Sequence, residues 1–220
     1  KMRFGATGYL LDDAGSRAGG VLRARMKSVG PNLIVANGLP IANANAEWDA
    51  ATGVYVKNPD SADAAASSTA SGTTISDSGV VNYLNKFGKL GTANFKGHDP
   101  FSELYYSALR SLRNMSPVPE YVSGMTSTMY DSFPVITTAV PEPTAPFSTT
   151  NLAPLPIQYW CQQNNIVGIA GHDGLLVLVG GAGFLGRDEG RAHVGKVCTH
   201  GLGGQHGVAR GDGAGQRHRA

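Results

Sequence analysis

Between Phe101 and Leu112 the apolar residues recur at helical spacing. Phe101, Leu104, Tyr105, Ala108 and Leu112 fall at i, i+3, i+4, i+7 and i+11 and make one stripe. Asp99 is the predicted N-cap, and Pro100 suits the first helical position, where its missing N–H costs nothing. Arg110 and Arg113 place positive charge on the last turn, where the helix dipole favours it, and Asn114 and Pro117 end the run. A shorter stripe, Val80, Val81, Leu84 and Phe87, predicts a second helix capped by Ser76, Asp77 or Ser78 and closed by Gly88. Residues 2–11 read as a strand with a turn at 12–16, and residues 21–26 as its partner. Arg23 and Arg25 alternate there, which puts both guanidinium groups on one face, read as the solvated edge of a sheet. Glu47 and Trp48 face Val54, Tyr55 and Val56 across Thr52 and Gly53, a predicted hairpin, and residues 165–169 resume a buried-strand pattern.

Three stretches break this patterning. Residues 61–77 hold Ala, Ser, Thr, Gly and Asp with Ile75 as the single large apolar residue. They have too little to bury against the ~1–2 kcal/mol per residue of backbone entropy, and we expect a flexible loop. Residues 116–121 read as an extended connection. Residues 139–155 carry prolines at 141, 143, 146 and 154 and predict an extended surface loop. From Gly168 onward lie sixteen of the 30 glycines and five of the 6 histidines, while proline, serine and tyrosine vanish. Residues 170–220 are therefore expected to be a disordered Gly/His/Arg-rich tail. Its composition is what GC-rich codons yield in any frame, so a frameshifted translation is the first reading and a genuine Gly-rich extension the second.

Four blocks resemble the PilY1 family of type IV pilus proteins. They are Gly19-Gly20-Val21-Leu22-Arg23-Ala24-Arg25-Met26-Lys27, Ser78-Gly79-Val80-Val81-Asn82-Tyr83-Leu84-Asn85-Lys86-Phe87-Gly88, the helix beginning Asp99-Pro100, and Pro156-Ile157-Gln158-Tyr159-Trp160-Cys161-Gln162-Gln163-Asn164. The resemblance implies an α/β fold, part of a von Willebrand A-like, Rossmann-type open sheet over residues 1–169, with helices on both faces. It also implies a secreted, surface-displayed pilus biogenesis and tip-associated adhesion protein that acts by binding. Its partners would be pilus components and a host or surface receptor. Starting at Lys1, the chain reads as a fragment. In such domains a divalent cation is held by loops at the carboxyl ends of the strands. The one position of this chain that matches a ligand is Asp99, while Ala170-Gly171 stands where another aspartate is expected and Asp173 is displaced. The resemblance therefore implies a cation for the full-length parent and none for this chain.

Composition adds bounds. Net charge is +2 and apolar content 41%, which supports a sparse core and gives no field that points to nucleic acid or an anionic membrane. No apolar run approaches the ~18–20 residues of a membrane span. Cys161 and Cys198 allow at most one disulfide. Gly181, Gly183 and Gly186 follow an apolar run as GxGxxG, which makes an NAD(P)-dependent oxidoreductase fragment the first alternative, although no βαβ unit follows. Cys198, His193, His200 and His206 lack the paired spacings of structural zinc, and Arg210-Gly211-Asp212 is a bare tripeptide match. Outside the tail His98 is the one imidazole, no catalytic motif is present, and an enzyme is not expected. A metal-free structural fimbrial or surface module is the second alternative.

Overall fold

The structure, a computed structural model, describes residues 2–10, 19–34, 39–87, 100–139, 156, 163–169, 175–181 and 194–197. Along the chain run β1 (Met2–Gly8), β2 (Val21–Lys27), β3 (Asn32–Ile34), β4 (Pro40–Ala42), α1 (Ser61–Ser71), α2 (Val80–Phe87), α3 (Phe101–Leu112), α4 (Pro119–Val122), α5 (Ser127–Tyr130), β5 (Gln163–Ile169), β6 (Leu175–Gly181) and β7 (Val194–Val197). The class is mixed α/β. β3 and β4 pair by themselves, and the other five strands form one sheet in the order β2-β1-β6-β5-β7. Each described pairing in it is antiparallel, unlike the parallel neighbours of a Rossmann-type sheet. Since β6 opposes both its neighbours, β1 and β5 run in the same direction with one strand between them.

Helices cover both faces. Side chains alternate along a strand, and Tyr9, just past β1, joins Met26, Leu104, Ala108, Leu112 and Ile166 on the α3 side. Phe4 and Ala6 of β1 join Ala24, Val80, Tyr83 and Phe133 on the α2 side. The predicted stripe of α3 is the one that packs, with Leu104, Ala108 and Leu112 buried. A Cβ at Gly20 would lie 2.2 Å from the Leu104 Cδ1, so glycine is what lets the chain pass this close to α3. The helix starts one residue later than expected, with Pro100 in the capping place, and Asp99 lies outside the described residues. The hairpin around Gly53 forms as read: Asp49 N–H donates to Val54 (2.9 Å), Val56 N–H donates to Glu47 (2.9 Å), and Gly53 has φ +69°.

Three expectations are corrected. Residues 61–71 are the helix α1 rather than a flexible loop. Five alanines give it high intrinsic helix propensity, Gly72 in the left-handed region ends it, and the face it buries is small, Ala64 and Ser67. Apolar residue size was the wrong criterion there. In the segment expected to be extended, residues 119–122 turn into α4, with Pro119 in its first turn. The tail is not wholly disordered: β6 and β7 are strands, and the run Leu-Leu-Val-Leu-Val places β6 at the centre of the sheet, where strands are apolar on both faces. The rest of the tail and nearly all of the loop expected at 139–155 lie outside the described residues.

Candidate functional site

Nearly all the residues singled out for chemistry lie outside the described residues. Asp99 and Asp173 both lie outside the described residues, as do Ala170-Gly171, Cys161, Cys198, His193, His200, His206 and the tripeptide at Arg210. Among the described residues no three His, Cys, Asp or Glu side chains converge on a point that could hold a metal ion. The described donor set does not fit a divalent cation, which needs about six or more oxygens or a near-ideal octahedron. Of the glycine fingerprint, Gly181 ends β6, and Gly183 and Gly186 lie outside the described residues. β6 is antiparallel to both neighbours, whereas a dinucleotide site needs a strand inside a parallel βαβ unit.

What the fold does assemble is a pair of buried polar clusters on the α2 side of the sheet. The first is built from four chain segments. Lys27, the last residue of β2, lies opposite Phe4, so its side chain enters the layer between sheet and helices. Glu47 opens the hairpin, Asp60 precedes α1, and Gly79 precedes α2. The Lys27 Nζ lies 3.1 Å from the Glu47 Oε1 and touches the Asp60 Oδ1. Glu47 also caps α2, accepting from the N–H of Val80 at 2.8 Å and of Val81 at 2.6 Å. None of the serines or Asp77 expected to cap α2 does this; Ser78 instead accepts from the Asp60 N–H at 2.8 Å and donates to the Asn58 side chain at 2.6 Å. Gly79, at φ +94°, leaves room for the carboxylate: a Cβ there would be 3.0 Å from the Glu47 Cδ. Burial pushes the Asp60 carboxyl above its ordinary value, with the Lys27 ammonium opposing.

The second cluster centres on Arg23, which is 1% exposed rather than on a solvated edge. Opposite the neighbouring residues Ala6 and Thr7 stand Ala24 and Leu22, so Arg23 is the extra residue of a β-bulge, and the bulge turns it inward. Its guanidinium donates to the carbonyls of Tyr130 (2.8 Å), Tyr9 (2.9 Å) and Met129 (3.2 Å), and lies 5.8 Å from the Tyr83 ring centroid. Burial lowers its pKa from the ordinary arginine value. Nearby, Lys86 pairs with Asp131, donates to the Asp131 carbonyl at 2.7 Å and sits over the Phe133 ring, which pins α2 to the turn after α5. Arg25, by contrast, is partly exposed and pairs with Asp63 of α1 at 3.1 Å.

No family model and no solved structure matches the chain. A curated relative does: a protein named "Type IV pilus biogenesis factor PilY1 homolog" from Xylella fastidiosa (strain Temecula1 / ATCC 700964) is 41% identical over 175 residues, 77% of this chain. The chain is related to the PilY1 family. It spans 13% of the length of that relative. In this PilY1-related chain the Lys27 and Arg23 clusters were not found by sequence reasoning, because both join segments far apart in the chain. The one local signal was the continuation of the Arg23/Arg25 alternation to Lys27, three positive charges on a strand whose intervening residues, Ala24 and Met26, are apolar.

Proposed function

We propose that the chain is a region of a type IV pilus biogenesis factor that acts by binding rather than by catalysis, displayed at the cell surface with the pilus tip. The observation that carries this is the 41% identity over 77% of the chain to the relative named as a pilus biogenesis factor. Pilus components and a host or surface receptor are its proposed partners. A von Willebrand A-like domain is the proposed frame. In its favour, helices lie on both faces, an antiparallel partner, β2, sits at the edge beside β1, and β1 and β5 share a direction. Non-catalytic action fits the two buried clusters, whose charged groups are engaged by hydrogen bonds and ion pairs within the fold. Among the described residues no helix is long and apolar enough to cross a membrane.

Deleting the parent gene tests the proposal. Surface pili, counted by electron microscopy, and twitching motility should both fall and should return on complementation. Normal piliation and motility in the deletion strain would remove the pilus assignment.

A further inference from the structure

We propose that Lys27 and Asp60 join through an intramolecular isopeptide bond, with Glu47 carrying the proton. The inference goes beyond the pilus reading and does not depend on it. The three side chains are 8%, 13% and 0% exposed, and the amine nitrogen touches one oxygen of the carboxyl group it would attack. Reacting groups held this close convert a slow bimolecular condensation into an intramolecular step. Two carboxylates around a single ammonium leave an excess negative charge in a buried place, which favours the acid form of one of them. Both oxygens of Glu47 already accept the first N–H groups of α2, at the positive end of that helix. Asp60 is the one that takes the proton, in line with the upward push of burial on its carboxyl. Its Oδ2 is buried and has no hydrogen-bond partner among the described residues, which marks it as the oxygen to be protonated and expelled.

The step balances without a further reagent. One proton passes from the Lys27 ammonium by way of Glu47 to the Asp60 carboxylate, leaving an amine and a carboxylic acid. The amine nitrogen bonds to the Asp60 Cγ. Glu47 then takes a second proton from that nitrogen and delivers it to the departing oxygen, the C–O bond breaks, and water leaves. Products are one amide and one water, with Glu47 again a carboxylate. The amide replaces a buried ion pair with a neutral group, which removes the desolvation penalty of two charges. The bond links the end of the edge strand β2 to the residue capping α1, 33 positions on, and so closes a loop through the Glu47 hairpin.

Intact-mass measurement of the purified full chain under denaturing conditions tests this. The mass should fall short of the sequence by one water, and a protease digest should yield a branched peptide joining Lys27 to Asp60. Lys27→Arg keeps the charge and removes the nucleophile; Glu47→Gln removes the proton carrier; both should show their full mass. A wild-type chain that is folded by circular dichroism yet has its full sequence mass would overturn the proposal, and so would a water loss confined to a linear peptide.

Discussion

Replacing Arg23 by methionine removes the guanidinium while keeping a long side chain in its place. The loss side of the balance is three hydrogen bonds to the carbonyls of Tyr130, Tyr9 and Met129. Bonds to a charged group contribute ~1.5–3 kcal/mol each, and the carbonyls would be left buried without that donor. The gain side is relief from holding a cation out of water, a penalty of several kcal/mol, which the lowered pKa of Arg23 also reflects. The Tyr83 ring adds a smaller attraction, on the order of 1–2 kcal/mol. With three bonds of good length against a single desolvated charge, the loss wins by about 2–4 kcal/mol. Urea unfolding followed by circular dichroism reads this directly: at ~1–3 kcal/mol per molar urea, the midpoint should drop by roughly 1–2 M. Arg23→Lys should lower it too, because an ammonium cannot fork to carbonyls on both sides. An Arg23→Met midpoint equal to or above wild type would refute the reasoning, since burial cost would then exceed the value of the bonds.

Three further outcomes follow from the same geometry. Leu104→Ala, at a fully buried position of α3, should destabilise by ~2–5 kcal/mol, whereas Tyr106→Ala on the same helix, 48% exposed, should change stability by about 0.5 kcal/mol or less; equal effects in urea titrations would show that α3 is not packed as described. Burial raises the Tyr83 phenol above its ordinary value, with the Arg23 guanidinium opposing, so the unfolded chain gives up this proton first and stability should decline as pH rises past ~10; Tyr83→Phe should lessen that decline, and an identical alkaline profile in the variant would contradict it. Calorimetry with calcium and with magnesium should find no stoichiometric site on this chain, because Asp99 is the single matching ligand; a micromolar site abolished by Asp99→Ala would show that the site had been misplaced.

Much of the fold was legible because it is local. The α3 stripe, the helix α2, the β1–β2 pair and the Gly53 hairpin are each encoded within a dozen or so residues, by period or by turn chemistry, although α2 buries Tyr83 beside Val80, a residue outside its predicted stripe. What escaped has a different physical origin. The helix α1 forms on alanine propensity and small-residue packing, so counting large apolar side chains undervalues it. Arg23 is inward because of a bulge, and a bulge shifts the face of every residue beyond it without any mark in the alternation itself. The cap of α2 comes from Glu47, 33 positions before Val80, so no capping box could announce it. The Lys27 cluster escaped for the same reason: its members belong to a strand, a hairpin and a helix start that only the folded chain brings together.

The central place of β6 sets an order of events. Among the described strands, β2 and β1 on one side and β5 and β7 on the other are hydrogen-bonded to each other only through β6. During synthesis the first hairpin is complete before residue 30, yet its inner edge waits for residues 175–181. An exposed row of N–H and C=O groups is a template for pairing with another chain, and closure over so long a separation is slow. The N-terminal half of this chain therefore spends the longest part of its folding with an open edge. That interval is when aggregation competes with folding, and a partner able to shield β1 early would raise the yield of folded protein without altering its final stability.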